Sequence, residues 1–359
     1  AETISAPGSP LLALVDLVGQ DAGTSGLRRL KDAQADLVAA LLADGTTAPS
    51  IQSLLADLDD DLHRQAVVHV VSALERDGWG APPVPYALVV MGSSGRRECL
   101  LAPDQDNGLV VADYPDADHA RIDGYFLELA TRLTRLLDEI GFDLCKGNVM
   151  ATNPVWRKRV SEWKSQIDDW IRKRAPIHLL QADVLIDVRH VHGHAALTRA
   201  VREHMIASAS RAPGFVKALR SIESDHTVAV GWFGLKKEVD DEDRDGVVNL
   251  KMRGTLPLVE GARLMALRLG AMETSTLARL DRLRAAGRLS ADDHDYLVHA
   301  FDSVGRLLLA RQVADIRIGR TPTDYVPVES LTRRERDTLY ACLKAIDGWR
   351  TVTAEDLSL

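Results

Sequence analysis

The sequence predicts an α+β protein with N-terminal helices, a small mixed sheet and a C-terminal all-helical domain. Apolar residues recur at helical spacing near the N-terminus, short apolar runs then alternate with a helical stretch, and long segments rich in Leu, Ala and Arg follow. A chain of 359 residues with a hydrophobic fraction of 46% can bury the cores of about two domains. The predicted regions are residues 1–80, 81–194 and 195–359.

The first region is predicted to be helical from residue 10 to residue 78, because its apolar residues recur every three or four positions. These residues are Leu11, Leu12, Leu14, Val15 and Val18, and then Leu54, Leu55, Leu58, Leu62 and Val67. Glycines and prolines between positions 78 and 85 interrupt this pattern and mark the entry to the next domain.

Four short segments of the middle region are predicted to be strands, because each is apolar or rich in β-branched residues. They are YALVVMG (86–92), NGLVVA (107–112), GNVMAT (147–152) and VLIDVRHV (184–191). Apolar residues at helical spacing predict a helix over 117–140 between the second and third of them.

The rest of the chain is predicted to be mainly helical, over 195–208, 257–285, 290–318 and 330–347. Before it, Trp156, Trp163 and Trp170 recur every seven residues. Such an amphipathic stripe indicates a face packed in the core rather than a platform for stacking bases. The acidic run EVDDEDRD (238–245) is predicted to be a solvated loop.

Composition excludes several classes of partner and compartment. A net charge of −8 without a basic stripe argues against nucleic acid as a partner. The cysteines Cys99, Cys145 and Cys342 form no CxxC pair, which fits a reducing cytoplasm and neither a disulfide framework nor a zinc site. No apolar run reaches the roughly 18 residues of a membrane-spanning helix, so no membrane association is expected.

Two polar elements separated by a fixed gap carry the predicted chemistry. The first predicted strand ends on Gly92 and Ser93, and a glycine lets the backbone approach a phosphate closely because it has no Cβ. Amides at the start of a helix and the hydroxyls of Ser93 and Ser94 offer further donors to such a phosphate. Arg96 and Arg97 add positive charge, and either could clamp phosphate oxygens.

The second element is the pair Asp104 and Asp106 at the start of the next predicted strand. Residues two apart on a strand point to the same face, so both carboxylates are expected to converge. Two like charges about 4 Å apart repel by about 4 kcal/mol at an effective dielectric near 20. A hard divalent cation, Mg²⁺ or Mn²⁺, would offset this repulsion and bind substrate phosphates as well.

A third carboxylate is predicted at Asp187, which lies within an apolar segment where an unpaired charge is costly. Asp183 is the alternative position for this group. The competing interpretation of Asp187 is a buried ion pair with Arg189 or another cation.

The string GSSGRRECLLAPDQDNGLVV (92–111) resembles a family of nucleotidyltransferases often fused to CBS and cyclic-nucleotide-binding domains, within the DNA polymerase beta superfamily. Related families are the PII uridylyltransferases and glutamine synthetase adenylyltransferases. The resemblance covers roughly 60–350 and continues in GFDLCKGNVMATNPVW (141–156), LIDVRHVHG (185–193), VNLKMRGTLPLVEGARLMALRLG (248–270) and TPTDYVPVESLTRRERDTL (321–339). Leu258 departs from it, since the adenylyltransferases carry an Asp at that position.

The resemblance implies transfer of a nucleoside monophosphate from an NTP, ATP or UTP, to an acceptor hydroxyl, with release of pyrophosphate. It implies metal binding by Asp104, Asp106 and Asp187, phosphate contacts by Lys251, and a protein acceptor bound by the helical region after residue 195. Three alternatives stay open. They are a nucleotide-sensing module without turnover, a transferase acting on a small molecule, and a helical scaffold in which 92–106 is incidental turn chemistry.

Overall fold

The computed structural model describes residues 23–223, 226–231, 234–236 and 246–356. Contacts between residues divide the chain into two units. The first unit comprises the described parts of residues 1–40, 52–169 and 184–205, and the second comprises those of 41–51, 170–183 and 206–359.

Helices dominate the described chain, as predicted. The helices are α1 (Thr24–Ala43), α2 (Ala48–Arg76), α3 (Gly92–Arg96), α4 (His119–Ile140), α5 (Val160–Lys173), α6 (Pro176–Ile186), α7 (Ala195–Ser210), α8 (Pro213–Glu223), α9 (Leu256–Arg268), α10 (Thr276–Ala285), α11 (Ala291–Arg317) and α12 (Arg333–Asp356). Short 3₁₀ turns at Asp116–Asp118 and Val328–Ser330 and a π-helical turn at Lys251–Thr255 accompany them.

A mixed four-stranded sheet forms the centre of the first unit, in the order β3-β2-β1-β4. Its strands are β1 (Tyr86–Val90), β2 (Asn107–Val111), β3 (Arg157–Arg159) and β4 (Arg189–Gly193). β1 pairs antiparallel with β2 and with β4, while β2 pairs parallel with β3. Every residue of β1 and β2 is buried, which explains why β1 and the last three residues of β2 are apolar.

Helix α4 supplies much of the apolar surface near this sheet. Its buried residues follow helical spacing and include Tyr125, Phe126, Leu129, Leu133 and Leu137. The ring of Phe126 lies 5.4 Å from that of Tyr86 on β1. The helix predicted over 117–140 is therefore confirmed, with its amphipathic face in the core.

The tryptophan stripe is buried, as predicted. Trp156, Trp163 and Trp170 are 1%, 0% and 3% exposed, so none offers a face to a base. The indole Nε1 of Trp163 donates to the carbonyl of Leu109 on β2 at 3.2 Å, which ties helix α5 to the sheet.

One predicted strand is absent, and another is displaced along the chain. Residues 147–152 form turns, and the edge strand is instead Arg157–Arg159, whose charged sequence carries no strand signal of its own. In the segment 184–191, helix α6 continues to Ile186, and strand β4 begins only at Arg189. Local β propensity at Val184 and Ile186 is overridden because the preceding residues are helical.

The second unit is helical, with α9 and α10, and likewise α11 and α12, in contact. Residues 257–267 of α9 are all buried, so this helix is its central element. The helix predicted over 257–285 is interrupted between Arg268 and Thr276. Two short antiparallel ladders, β5 (Val230–Gly231) with β6 (Gly234–Leu235) and β7 (Val247–Asn249) with β8 (Tyr325–Pro327), are additions to the predicted all-helical domain.

Of the helices in the described residues, none combines the length and the apolar character needed to cross a bilayer. The predicted helical residues 10–22 and the acidic run 238–245 lie outside the described residues.

Candidate functional site

The turn after β1 lies directly against Asp106. Gly92 begins helix α3 with a φ of +57°, and a Cβ added to it would lie 2.6 Å from Asp106 Oδ2. The amide of Met91 donates to the carbonyl of Asp106 at 2.9 Å, which extends the β1–β2 ladder by one step. The sheet therefore brings the glycine turn against the Asp-x-Asp segment, and a side chain at position 92 would force the carboxylate of Asp106 to move.

The Asp-x-Asp segment alternates between solvent and core. Gln105 is 1% exposed, and its side-chain amide donates to the carbonyls of Thr134 at 3.0 Å and Phe142 at 2.9 Å. Asp104 is exposed and Asp106 is half-buried. This alternation agrees with the prediction that the two carboxylates share a face, since the residue between them points the other way. Two carboxylates at an accessible edge are a donor set that fits Mg²⁺ or Mn²⁺.

Cys145 adds a thiol to this edge, which the sequence analysis did not assign. Its S–H donates to the carboxylate of Asp106. The pKa of the thiol is raised to about 11, mainly by burial and to a smaller extent by the negative charge of Asp106. The segment containing Cys145 is tied to the Asp-x-Asp segment, because the amide of Gln105 donates to the carbonyl of Asp143 at 2.9 Å.

Both predicted phosphate-binding arginines are engaged by protein carboxylates. Arg97 Nη2 lies 2.7 Å from Asp57 Oδ2 on helix α2. Arg96 donates through Nε to Glu98 and through Nη1 to Asp187, each at 2.7 Å. Arg96 is held in a mostly buried pair, whereas the pair of Arg97 with Asp57 is partly exposed and would be weak, so a phosphate could replace Asp57 more easily than Asp187. Phosphate binding by either arginine stays a prediction.

Ser93 and Ser94 lie in the single turn of helix α3. The carbonyl of Ser93 accepts from the amide of Glu98 at 2.9 Å, and the carbonyl of Ser94 accepts from Arg189 Nη2 at 2.9 Å. A five-residue helix adds little dipole, so the predicted contribution of a helix N-terminus to phosphate binding is small.

Asp187 is 0% exposed and follows the end of α6, where its Oδ2 accepts from Arg96. The interpretation as a buried ion pair therefore describes its side chain, with Arg96 as the partner instead of Arg189. In the parts of the chain that the structure describes, no group of three or more His, Cys, Asp or Glu side chains is arranged to hold a metal. The structure thus does not gather Asp104, Asp106 and Asp187 into one three-ligand centre.

The two remaining predicted residues lie in the second unit. Asp183 is paired with Arg263 at 2.6 Å. Lys251 starts the π-helical turn, is 48% exposed at its side chain, and has its Nζ 3.7 Å from Asp324 Oδ2. A role for Lys251 in phosphate binding stays a prediction.

The acids of helix α2 are the feature that sequence reasoning missed. Asp57 pairs with Arg97, and Asp60 pairs with Arg189 through both of its oxygens, with Nη2 at 2.9 Å from Oδ1. The sequence feature that could have indicated these acids is the run DLDDD at positions 57–61. Such an acidic run is a candidate partner for the two arginines that follow the glycine turn.

Two domain models match the chain. The model described as "Putative nucleotidyltransferase DUF294" matches residues 32–177, and the model described as "Putative nucleotidyltransferase substrate binding domain" matches residues 213–357. A search of curated proteins found no match. The first model includes Gly92, Asp104 and Asp106, and the second includes Lys251. Together these matches place the chain in the family that the two domain models define.

Proposed function

We propose that this protein is a metal-dependent nucleotidyltransferase that transfers a nucleoside monophosphate from an NTP to an acceptor hydroxyl. The observation that supports this most directly is the contact between Gly92 and Asp106, where a Cβ would lie 2.6 Å from the carboxylate. It places an open backbone turn, suited to a phosphate, beside a carboxylate suited to a cation.

Asp104 and Asp106 would hold the divalent cation, Mg²⁺ or Mn²⁺, since both lie just before strand β2 and neither is buried. When bound, such a cation would neutralise phosphate charge and polarise the phosphoryl group. Gln105 keeps the two carboxylates oriented through its two buried hydrogen bonds. Gly92, Ser93 and Ser94 would bind phosphate oxygens through the backbone and the two hydroxyls.

In the proposed reaction the acceptor oxygen forms a bond to the α-phosphorus of the NTP. The bond from that phosphorus to the bridging oxygen of the β-phosphate breaks, and its electron pair leaves with pyrophosphate. The acceptor proton passes to solvent or to a carboxylate of the site. The chain contributes mainly by positioning the reactants and by electrostatic stabilisation.

The nucleotide is proposed to be ATP or UTP and the acceptor a protein. The support for a protein acceptor is the resemblance to enzymes that modify proteins, together with the substrate-binding description of the second domain model. Fold resemblance alone does not determine the acceptor, so the experiment must identify it.

The experiment incubates the protein with each of the four α-labelled NTPs, Mg²⁺ or Mn²⁺, and a lysate of its source cells, and measures both pyrophosphate and the labelled species. The proposal predicts cation-dependent pyrophosphate release and label on a protein. Label on a low-mass species would instead identify a small-molecule transferase. Binding of an NTP without pyrophosphate release would identify a sensing module. Absence of any NTP binding in the presence of cation would exclude a nucleotide function.

A further inference from the structure

The segment that begins with the glycine turn is held by Asp187, which follows helix α6, and by Arg189, the first residue of strand β4. We infer that Asp187 is a positioning residue that acts through Arg96 to hold residues 92–98 in place, and that it does not ligate the metal. That this role matters for catalysis rests on the proposed nucleotidyltransferase function. Whether Asp187 holds residues 92–98 in place can be tested independently of that function.

Asp187 contacts the turn with its side chain and with its backbone. Its Oδ2 accepts from Arg96 Nη1 at 2.7 Å. Its carbonyl oxygen lies so close to Gly95 that a Cβ added there would be 1.9 Å away. No side chain fits at such a distance, so position 95 requires glycine because the backbone of Asp187 packs against it.

Arg189 holds the neighbouring residue of the same turn. Its Nη2 and Nε donate to the carbonyl of Ser94 at 2.9 and 3.3 Å, while Asp60 binds the guanidinium from the other side. Residues 94, 95 and 96 are thus each contacted by residue 187 or residue 189. The turn is held along three consecutive residues, and we expect this to keep Gly92 against Asp106.

Burial separates Asp187 from the proposed metal ligands. Its side chain is 0% exposed, and that of Arg96 is 11% exposed, so their charges offset each other away from solvent. A buried carboxylate requires such a partner, because an uncompensated charge is costly there. A cation on Asp187 would have to displace a guanidinium, whereas Asp104 is open to solvent and accessible to a cation.

The test compares Asp187→Asn, Arg96→Gln and the matched control Asp183→Asn in the full-length protein. Asp183 lies four residues earlier, on α6, and also pairs with an arginine, Arg263, at 2.6 Å. Hydrogen exchange is followed at the amides of Gly95 and Glu98, which donate to the carbonyls of Met91 and Ser93. Mn²⁺ binding is measured by calorimetry, with Asp106→Asn as the reference for a lost ligand.

We expect exchange of these two amides to accelerate by about tenfold or more in Asp187→Asn and Arg96→Gln, and to stay at the wild-type rate in Asp183→Asn. Asp187→Asn and Arg96→Gln should also have the same Mn²⁺ affinity as each other, because Asp187 acts through Arg96. Should either variant fail to fold by circular dichroism, Arg96→Lys takes its place, since it keeps the charge and loses the forked geometry.

Two outcomes would overturn the inference. One is wild-type exchange at Gly95 and Glu98 in Asp187→Asn. The other is loss of Mn²⁺ binding in Asp187→Asn while Arg96→Gln retains it, which would identify Asp187 as a ligand. If the wild-type protein itself binds no Mn²⁺, the proposed function fails, but the exchange rates still decide the positioning role.

Discussion

Two sets of carboxylates in the first unit have the same chemistry and opposite environments. Asp104 is exposed and Asp106 is half-buried at the edge of the sheet, next to an open glycine turn. Asp187 is fully buried and paired with Arg96, and Asp60 is buried and paired with Arg189. The pair at the sheet edge is accessible to a cation, whereas Asp187 and Asp60 are already paired with arginines of the chain. Burial, and not residue type, therefore separates the proposed metal ligands from the acids that are paired within the fold.

The largest effect is expected from Asp106→Asn. The substitution removes a charge from the accessible pair, so we expect nucleotidyl transfer to fall by about 10³-fold, equivalent to about 4 kcal/mol. The unfolding free energy should change little, because Asp106 is only half-buried and asparagine has nearly the same size and shape as aspartate. Pyrophosphate release at saturating Mg²⁺ measures the activity. Turnover equal to that of the wild-type protein would remove Asp106 from the active site.

Asp187→Asn should lower the stability of the fold more than Asp106→Asn does. The substitution breaks a buried ion pair while Arg96 keeps its contact with Glu98, and we expect the unfolding free energy to fall by about 2 kcal/mol. Urea denaturation measures this change, with Asp104→Asn as the exposed control. Equal denaturation midpoints for the two variants would mean that burial does not distinguish these carboxylates.

Gly92→Ala tests the contact between the turn and the accessible pair. The positive φ of +57° costs an alanine about 1–2 kcal/mol, and Asp106 must in addition move away from the new Cβ. Gly78→Ala is the matched control, because Gly78 has a φ of +86° with nothing within 4 Å of an added Cβ. Thermal unfolding should show the larger loss for Gly92→Ala.

Metal affinity is the second measurement for this pair of glycines. Only Gly92→Ala should weaken Mn²⁺ binding, because only that methyl group displaces a proposed ligand. If Gly78→Ala weakens Mn²⁺ binding equally, backbone strain and not the contact with Asp106 would be responsible.

The smallest effect concerns the thiol beside Asp106. Burial and then the charge of Asp106 raise the pKa of Cys145 to about 11, so the thiolate is scarce at pH 8. Asp106→Asn removes that negative charge, which should lower this pKa and speed alkylation by iodoacetamide several-fold. Burial raises the pKa of Cys99 to about 12, and its thiol serves as the unreactive control.

Mass spectrometry of the alkylated peptides separates these two cysteines. An unchanged rate at Cys145 in Asp106→Asn would show that burial alone controls the reactivity of this thiol. The same result would mean that the charge of Asp106 does not influence residues 143–148.

Local patterns were enough to predict the elements on which the candidate site is built. The apolar runs 86–92 and 107–112 predicted β1 and β2, and Asp-x-Asp predicted a shared face that agrees with the burial of Gln105. The strand predicted over 184–191 forms only from Arg189 to Gly193, because Val184 and Ile186 belong to helix α6, which begins at Pro176. The division at residues 80 and 194 and the role of Lys251 stay predictions.

The partners of the arginines could not be predicted in this way. Arg96 and Arg97 stand beside a glycine turn, and their position along the chain is equally compatible with phosphate binding and with ion pairing. Arg97 pairs with Asp57, which lies forty residues earlier in the sequence, and Arg96 pairs with Asp187, which lies ninety-one residues later. Such distant pairings depend on how helices and strands pack, and no local spacing encodes them.

The sequence alone determined the fold class, the glycine turn, the Asp-x-Asp pair and the family resemblance, because each depends on periodicity or on residues close together in the chain. Only the tertiary structure decided that Asp187 is buried against Arg96 while Asp104 remains open. The physical reason is that the cost of a charge depends on its solvent exposure and its neighbours, and both are set when distant segments pack together.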